Sequence, residues 1–384
     1  MLGRQGIRVL LCLVLRKKQV LSKKGNIMDF IHTSGVLTIQ HLQNNYREYD
    51  SFLSFMSRVG DPRNIFSVYF PLWFHLSHNV GTKMIWVAVV GDWFNLIFKW
   101  ILHGQRPYWW VHETHLFQNC SKPHLDQFHI TCETGPGSPS GHAMGSSCVW
   151  YVMVTSTLNF ARSSCASSAW SSQRFYLLRS ILWMAFWFVQ INVCISRVFI
   201  ATHFPHQVLL GLLIGMLVAE AFDHIPWIYN ATLKLYLQVN GFLLSFAVFF
   251  YLLLKLLDFD PLWSVTKAKS WCVNPDWIHL DTTPFAGLWR NLGALFGLGL
   301  ALNSEMFIQS CKGKNSCKSI FKLMCMTANL TFLQLYDLIK MPTQSEFLFY
   351  ILCFCKSASV PFGVIAVIPY CVHVLIRDDG RKLR

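Results

Sequence analysis

The chain has 384 residues, a length that two ordinary soluble domains would fill. Hydrophobic residues make up 53% and charged residues only 14%, against about 25% charged in a soluble domain, which excludes soluble and disordered chains alike. The net charge of +14 suggests nucleic acid, but the Lys and Arg residues sit in short loops between apolar runs, the pattern of membrane topology, so a nucleic-acid partner is excluded as well.

In chain order, residues 1–27 read as a basic extension around seven apolar residues, Val9 to Leu15, followed by Arg16-Lys17-Lys18. That run is too short to span a bilayer, and no small-residue cleavage site follows it. The expectation is that translation starts at Met28 and that 28–384 forms one membrane-embedded domain. Apolar runs of about 20 residues then predict some nine spans, near 53–76, 84–104, 141–161, 175–195, 198–218, 239–258, 283–302, 319–339 and 347–367. Lipid leaves no water for unpaired backbone groups, so each is expected to be helical and the fold class is an all-α polytopic bundle in the lipid bilayer.

Basic loops set the orientation. The loop of Arg162 and Arg174, the loop of Lys312, Lys314 and Lys318, and the tail Arg377, Arg381, Lys382, Arg384 are expected to face the cytoplasm. Segment 105–140, a tight turn near 196–197, and 259–282 then face the opposite side. Asn119-Cys120-Ser121 is a glycosylation sequon in that space, whereas the matches at Asn230 and Asn329 fall on the wrong side or within a span. The tail Arg381-Lys382-Leu383-Arg384 resembles a dibasic retrieval signal, which implies an endoplasmic-reticulum membrane. Cys120, Cys132 and Cys272 share the oxidising side, with their pairing open.

Ionisable residues at membrane depth point to function. Three segments concentrate them on one side. Lys99 and Arg106-Pro107 lie seven positions apart, about 700° of helix, which puts both cations on one face; alone, they read equally as interfacial anchors. In Gly135-Pro136-Gly137-Ser138-Pro139-Ser140-Gly141-His142, Ser140 is a good helix cap, and free N–H groups at a helix start bind phosphate. Alone, this is an ordinary Gly/Pro loop. Ser196-Arg197 precedes His203, Pro205, His206 and Gln207; the amide oxygen of Gln207, one turn on, is expected to accept from His203. Alone, His203 reads as a hydrogen-bonded core residue. Tyr108, Trp109 and Trp110 read as a sugar-stacking surface or an interfacial belt. Asp61 and Arg63 read as sugar contacts or as partners of each other, and 259–282 as a lid.

The ordered set Lys-x6-Arg-Pro, Pro-Ser-Gly-His and Ser-Arg-x5-His resembles the signature of the type 2 phosphatidic-acid phosphatase superfamily. Cys132-Glu133-Thr134-Gly135, His203-Phe204-Pro205-His206-Gln207 and Asp281-Thr282-Thr283-Pro284 are similar to the glucose-6-phosphatase catalytic subunits within it. Cys194 to Thr202, Asn274 to His279 and Asn303 to Phe307 are most similar to the family's islet-specific branch, which implies a low turnover. The resemblance implies a phosphatidic-acid-phosphatase-type helical core and the hydrolysis of glucose 6-phosphate on the lumenal face. It implies His203 as the nucleophile, forming a phosphohistidine, and His142 as general acid and base. Lys99, Arg106, Arg197 and the backbone N–H groups of Ser140 and Gly141 would hold the phosphate, with no metal and no cofactor. Gln207 stands where the wider superfamily has an acid. A separate transporter would deliver the substrate. The competing expectations are a lipid phosphate phosphatase and a catalytically weak membrane interaction protein.

Overall fold

The computed structural model describes residues 27–117, 121–167, 172–312 and 319–382. The extension at 1–26, Asn119 with Cys120, and the end of the tail lie outside the described residues. Among the described residues there are helices and loops and no strand. They comprise α1 (Ile27–Asn45), α2 (Asp50–Val59), α3 (Phe70–Leu76), α4 (His78–Leu102), α5 (Pro107–Glu113), α6 (Gly141–Ser167), α7 (Ser172–Phe199) and α8 (Pro205–Ala221). There follow α9 (Leu233–Leu256), α10 (Trp263–Trp271), α11 (Pro284–Leu302), α12 (Glu305–Lys312), α13 (Ser319–Asp337), α14 (Glu346–Phe362) and α15 (Ile368–Lys382).

Six helical segments among the described residues are long and apolar enough to cross a membrane: His78–Phe117, Ser172–Phe199, Pro205–His224, Leu233–Leu256, Pro284–Leu302 and Glu346–Ile376. Helices α6, with 27 residues, and α13, with 19, have the length but a lower hydropathy. The expected first span, 53–76, is not one helix. It breaks at Gly60-Asp61-Pro62 into the amphipathic α2 and a short apolar segment, Ile65–Leu76. Pro62 has no N–H for a continuing helix and pushes Asp61 out of helical geometry. The turn expected near 196–197 lies instead at residues 200–204, so Arg197 belongs to the last turn of α7 and α8 starts seven residues later than the expected 198. Ala201 takes a left-handed conformation there, at φ 56°.

Small residues bring the site-bearing helices together. Gly211 and Gly215 of α8 face the backbone of Ser140 and Met144 at the start of α6, where a Cβ would collide. Gly293 and Gly297 of α11 meet the carbonyls of Phe354 and Ala358 on α14 in the same way. Such glycines four apart let helices pack at backbone contact in lipid, where apolar side chains gain nothing by leaving the solvent. The result gathers five helix ends at one end of the bundle: the last turns of α4 and α7 and the first turns of α5, α6 and α8.

The segment between α9 and α11 closes over this end. Lys267 of α10 pairs with Glu113 of α5 at 2.7 Å, and Trp271 Nε1 donates to the same carboxylate at 2.8 Å. Cys132 and Cys272, two of the three cysteines expected on the oxidising side, form a disulfide across 140 residues of sequence. A cross-link closing a loop that long stabilises by about 2–5 kcal/mol, chiefly by restricting the unfolded chain. Cys272→Ser is therefore expected to lower the thermal midpoint of the detergent-solubilised protein by several degrees. Dithiothreitol should produce the same shift in the parent and none in the variant.

Candidate active site

Local backbone rules set the two arginines and two histidines. Arg106 precedes Pro107 and is extended, at φ −108° and ψ 148°, as a residue before proline must be. Helix α4 ends at Leu102 with a left-handed His103, so Lys99 and Arg106 do not share a helical face. The intervening loop, not helical periodicity, turns Arg106 back into the bundle. Arg197 and His203 are joined across their turn by a backbone hydrogen bond, His203 N–H to Arg197 O at 3.2 Å. His142 occupies the second position of α6, whose Ser140 Oγ caps the helix by accepting from Ala143 N–H at 3.5 Å.

Arg106 is fully buried and held by backbone carbonyls. It donates to Gly135 O at 2.7 Å, Thr202 O at 3.2 Å and Pro136 O at 3.3 Å. Its Nη1 lies 3.4 Å from His203 Nε2. Arg197, also buried, donates to Ser57 Oγ of α2 at 3.0 Å. His203 Nδ1 lies 2.8 Å from Gly137 O, and because a carbonyl only accepts, Nδ1 carries the proton. The Nε2 lone pair therefore faces Arg106. Burial and then the Arg106 guanidinium hold this imidazole well below its ordinary pKa, so the ring is neutral.

One residue that the sequence reading left without a role joins all four groups. The Glu133 carboxylate takes Arg106 Nη2 on Oε2 at 3.0 Å and Arg197 Nη2 on Oε1. Its oxygens lie 3.5 Å from His142 Nδ1 and 3.8 Å from His203 Nε2. Burial opposes this charge, but Arg197 and then Arg106 hold the carboxyl well below the usual carboxylate range.

A cavity of about 140 Å³ opens beside this cluster. Lys99 lines it, as do Gly141 and His142, but the Lys99 ammonium makes no ion pair within 4.0 Å among the described residues. Its other walls mix polar side chains, Asp61, Arg63, Asp92, Asn95, Asp281, Arg290 and Asn291, with apolar ones, Val89, Trp93, Leu96, Leu243, Leu288 and Leu292. Asp61 and Arg63 pair at 2.6 Å, and Arg63 also reaches Asp281 at 3.2 Å. Burial works against the Asp61 charge, yet the hydrogen bonds from Arg63 bring its pKa down to about 2.

Two further expectations are corrected. Gln207 does not touch His203: its Oε1 accepts from Phe204 N–H at 3.1 Å and its Nε2 donates to Gln105 O at 2.7 Å. At the third position of α8, reaching back to the cap N–H is the shorter path. The Ser140 N–H donates to Gln207 O at 3.1 Å and is not free for phosphate. Gly141, in the first turn of α6, remains where a helix N–H has no intrahelical acceptor.

A family model described as the PAP2 superfamily matches residues 80–230. Glucose-6-phosphatase 2 of Mus musculus is 64% identical over 357 residues, 93% of this chain and 100% of that protein. The Homo sapiens glucose-6-phosphatase 2 is 63% identical over 355 residues, 92% and 99% of the two chains. This chain belongs to the glucose-6-phosphatase family. Glucose-6-phosphatase catalytic subunit 1 of Felis catus is 53% identical over 357 residues, 93% and 99%, so identity agrees with the motifs in favouring the first branch. No solved structure matches.

In this glucose-6-phosphatase family member, Tyr108 and Trp109 are neither sugar platform nor belt. They are fully buried among Val36, Phe204 and Ala268. Asp92, Asn95 and Lys99 are the cavity residues that periodicity could have found, since positions i, i+3 and i+7 share a helix face. Gly137 is the tightest point of the site. A Cβ there would overlap Gln105 O and sit 3.0 Å from both polar atoms of Gln207. Gly137→Ala must move the carbonyl that orients His203. The expected result is a fall in kcat of at least about 100-fold with near-normal expression, checked by phosphate release at matched protein levels.

Proposed function

We propose that this chain hydrolyses D-glucose 6-phosphate to glucose and inorganic phosphate, through a phosphohistidine on His203, at the lumenal face of the endoplasmic-reticulum membrane. The observation that carries the reading is the His203 ring: Nδ1–H anchored on Gly137 O, with the neutral Nε2 turned toward Arg106, whose guanidinium shares the Glu133 carboxylate with Arg197.

Phosphoryl transfer asks chiefly for charge neutralisation and in-line positioning. Arg106 and Arg197 bind the non-bridging oxygens, each by a planar fork. Lys99 adds positive charge, and the starts of α6 and α8 present the positive ends of two helix dipoles. His203 Nε2 attacks phosphorus as the bond to the sugar oxygen breaks, and His142 gives that oxygen its proton. His142 then takes a proton from water as the water attacks the phosphohistidine, releasing phosphate and free His203.

Asp61, Asp92, Asn95, Asp281 and Asn291 give the cavity hydrogen-bonding partners for a hydroxyl-rich leaving group, beside an apolar lining of Val89, Leu96, Leu243, Leu288 and Leu292. The preference for a sugar phosphate over a lipid phosphate rests on the 63–64% identity to the glucose-6-phosphatase 2 proteins. The Cys132–Cys272 disulfide supports placing this end of the bundle in an oxidising compartment, with the basic tail in the cytosol. Substrate then reaches the site through a separate glucose-6-phosphate transporter. Microsomes carrying the chain are expected to release phosphate from glucose 6-phosphate and not from phosphatidate, with a rate that rises on permeabilisation. Equal rates on both substrates, or release that is unchanged by permeabilisation, would refute the substrate or the sidedness respectively.

A further inference from the structure

We propose that Glu133 is a displaceable internal anion that occupies the phosphate position of the empty site, so that substrate binding is an exchange of one anion for another. The proposal rests on the assignment of Arg106, Arg197, His142 and His203 to the phosphate site. All four converge on the two oxygens of this one carboxylate, at the separations given above. A phosphate group cannot take the same donors while the carboxylate stays, because the guanidinium N–H groups that hold Glu133 are then occupied and the two anions would repel at contact distance.

The structure separates a fixed backbone from a movable side chain at this residue. Glu133 N–H donates to Thr131 O at 2.9 Å, Tyr108 Oη donates to Glu133 O at 3.0 Å, and the neighbouring Cys132 is tied to Cys272. The carboxylate arm itself is 17% exposed, on the cavity side. Rotation about its side-chain bonds moves it from the arginines into the cavity without disturbing the loop. Lys99 lines that cavity with no ion pair among the described residues, so a cation is waiting at the open position.

Exchange sets the selectivity of the site. A dianionic phosphate ester offers the arginines more charge than the carboxylate does and displaces it, whereas a monoanion such as chloride or acetate does not. Exchange also clears the site: after hydrolysis the returning carboxylate competes with inorganic phosphate for the same guanidinium groups and speeds its release. Glu133 is thus a gate for entry and an expeller of product.

The test uses the full chain in detergent, with orthovanadate and inorganic phosphate as probes. Affinity is read both as competitive inhibition and as thermal stabilisation, the latter requiring no turnover. Glu133→Gln keeps the shape and removes the competing charge. It is expected to bind vanadate at least about tenfold more tightly, because the binding-competent fraction rises toward one. Its KM and kcat should both fall, the latter because phosphate leaves slowly. Glu133→Asp keeps the charge on a shorter arm that cannot bridge both arginines, and should lie between the parent and Glu133→Gln. It carries the test should the first variant fail to fold. Vanadate affinity unchanged or weakened in the variants would overturn the proposal and make Glu133 a positioning residue for the arginines. Tighter vanadate binding without hydrolysis of glucose 6-phosphate in any form would instead overturn the substrate reading and leave the exchange standing.

Discussion

His203→Ala is expected to lower phosphate release from glucose 6-phosphate by a factor on the order of 10⁴ or more, as removal of a nucleophile does elsewhere. The parent, denatured rapidly during turnover of labelled substrate, should retain an acid-labile, alkali-stable phosphoryl group, and the variant should retain none. The side chain is fully buried, so its loss also leaves a small cavity and an unpaired Gly137 carbonyl. That costs about 1–3 kcal/mol, which a folded protein survives, and vanadate stabilisation of the variant would show that the arginine cradle persists. Hydrolysis at the parental rate in His203→Ala would eliminate the covalent route. The depressed pKa of this ring carries a sign for pH dependence. Protonation would silence the nucleophile, and that protonation is pushed below the ordinary imidazole range. An acid limb of kcat/KM near pH 6 therefore reports the second ionisation of the substrate phosphate, and a phosphorothioate ester of the same sugar, which becomes dianionic at lower pH, should move the limb down.

The arginines and histidines that meet here stood out in the sequence through three ordered motifs that resemble the phosphatase superfamily, since each segment alone had a plain structural reading. Local backbone rules account for their placement, with a proline after Arg106, a capped helix start before His142 and a turn between Arg197 and His203. What they touch was not legible, because those contacts are made by loops folding across helices. The proton on His203 Nδ1 is set by a carbonyl 66 residues away in sequence, at Gly137. The expectation that Gln207 would do this followed from spacing within one helix. It failed because the helix start offered that amide a nearer N–H. Glu133 escaped notice for a similar reason. It lies in a loop, where periodicity says nothing, and its carboxylate becomes informative only once four helix ends are seen to converge on it. The broken first span is a different failure: hydropathy counts apolar residues and is blind to the single Pro62 that interrupts them.

Arg106 is the residue whose loss should reach furthest. Arg106→Ala removes the donor to the carbonyls of Gly135, Pro136 and Thr202 at once, and strands Glu133 with one guanidinium instead of two. Breaking a buried ion pair from one side costs about 3–5 kcal/mol, and each orphaned carbonyl about 1–3 kcal/mol more. The sum rivals the whole stability of many domains, so the expected result is little folded protein on size-exclusion chromatography. Arg106→Lys is the sharper instrument. It restores the charge as a single point and cannot serve three carbonyls and an anion together. The variant should fold, and kcat/KM should still fall by at least about 100-fold. If Glu133 competes for this cation, then Arg106→Lys combined with Glu133→Gln should recover part of the lost vanadate affinity, giving a coupling well outside simple additivity. Parental kinetics in Arg106→Lys would show that the geometry of the fork is irrelevant here, and that charge alone holds the phosphate.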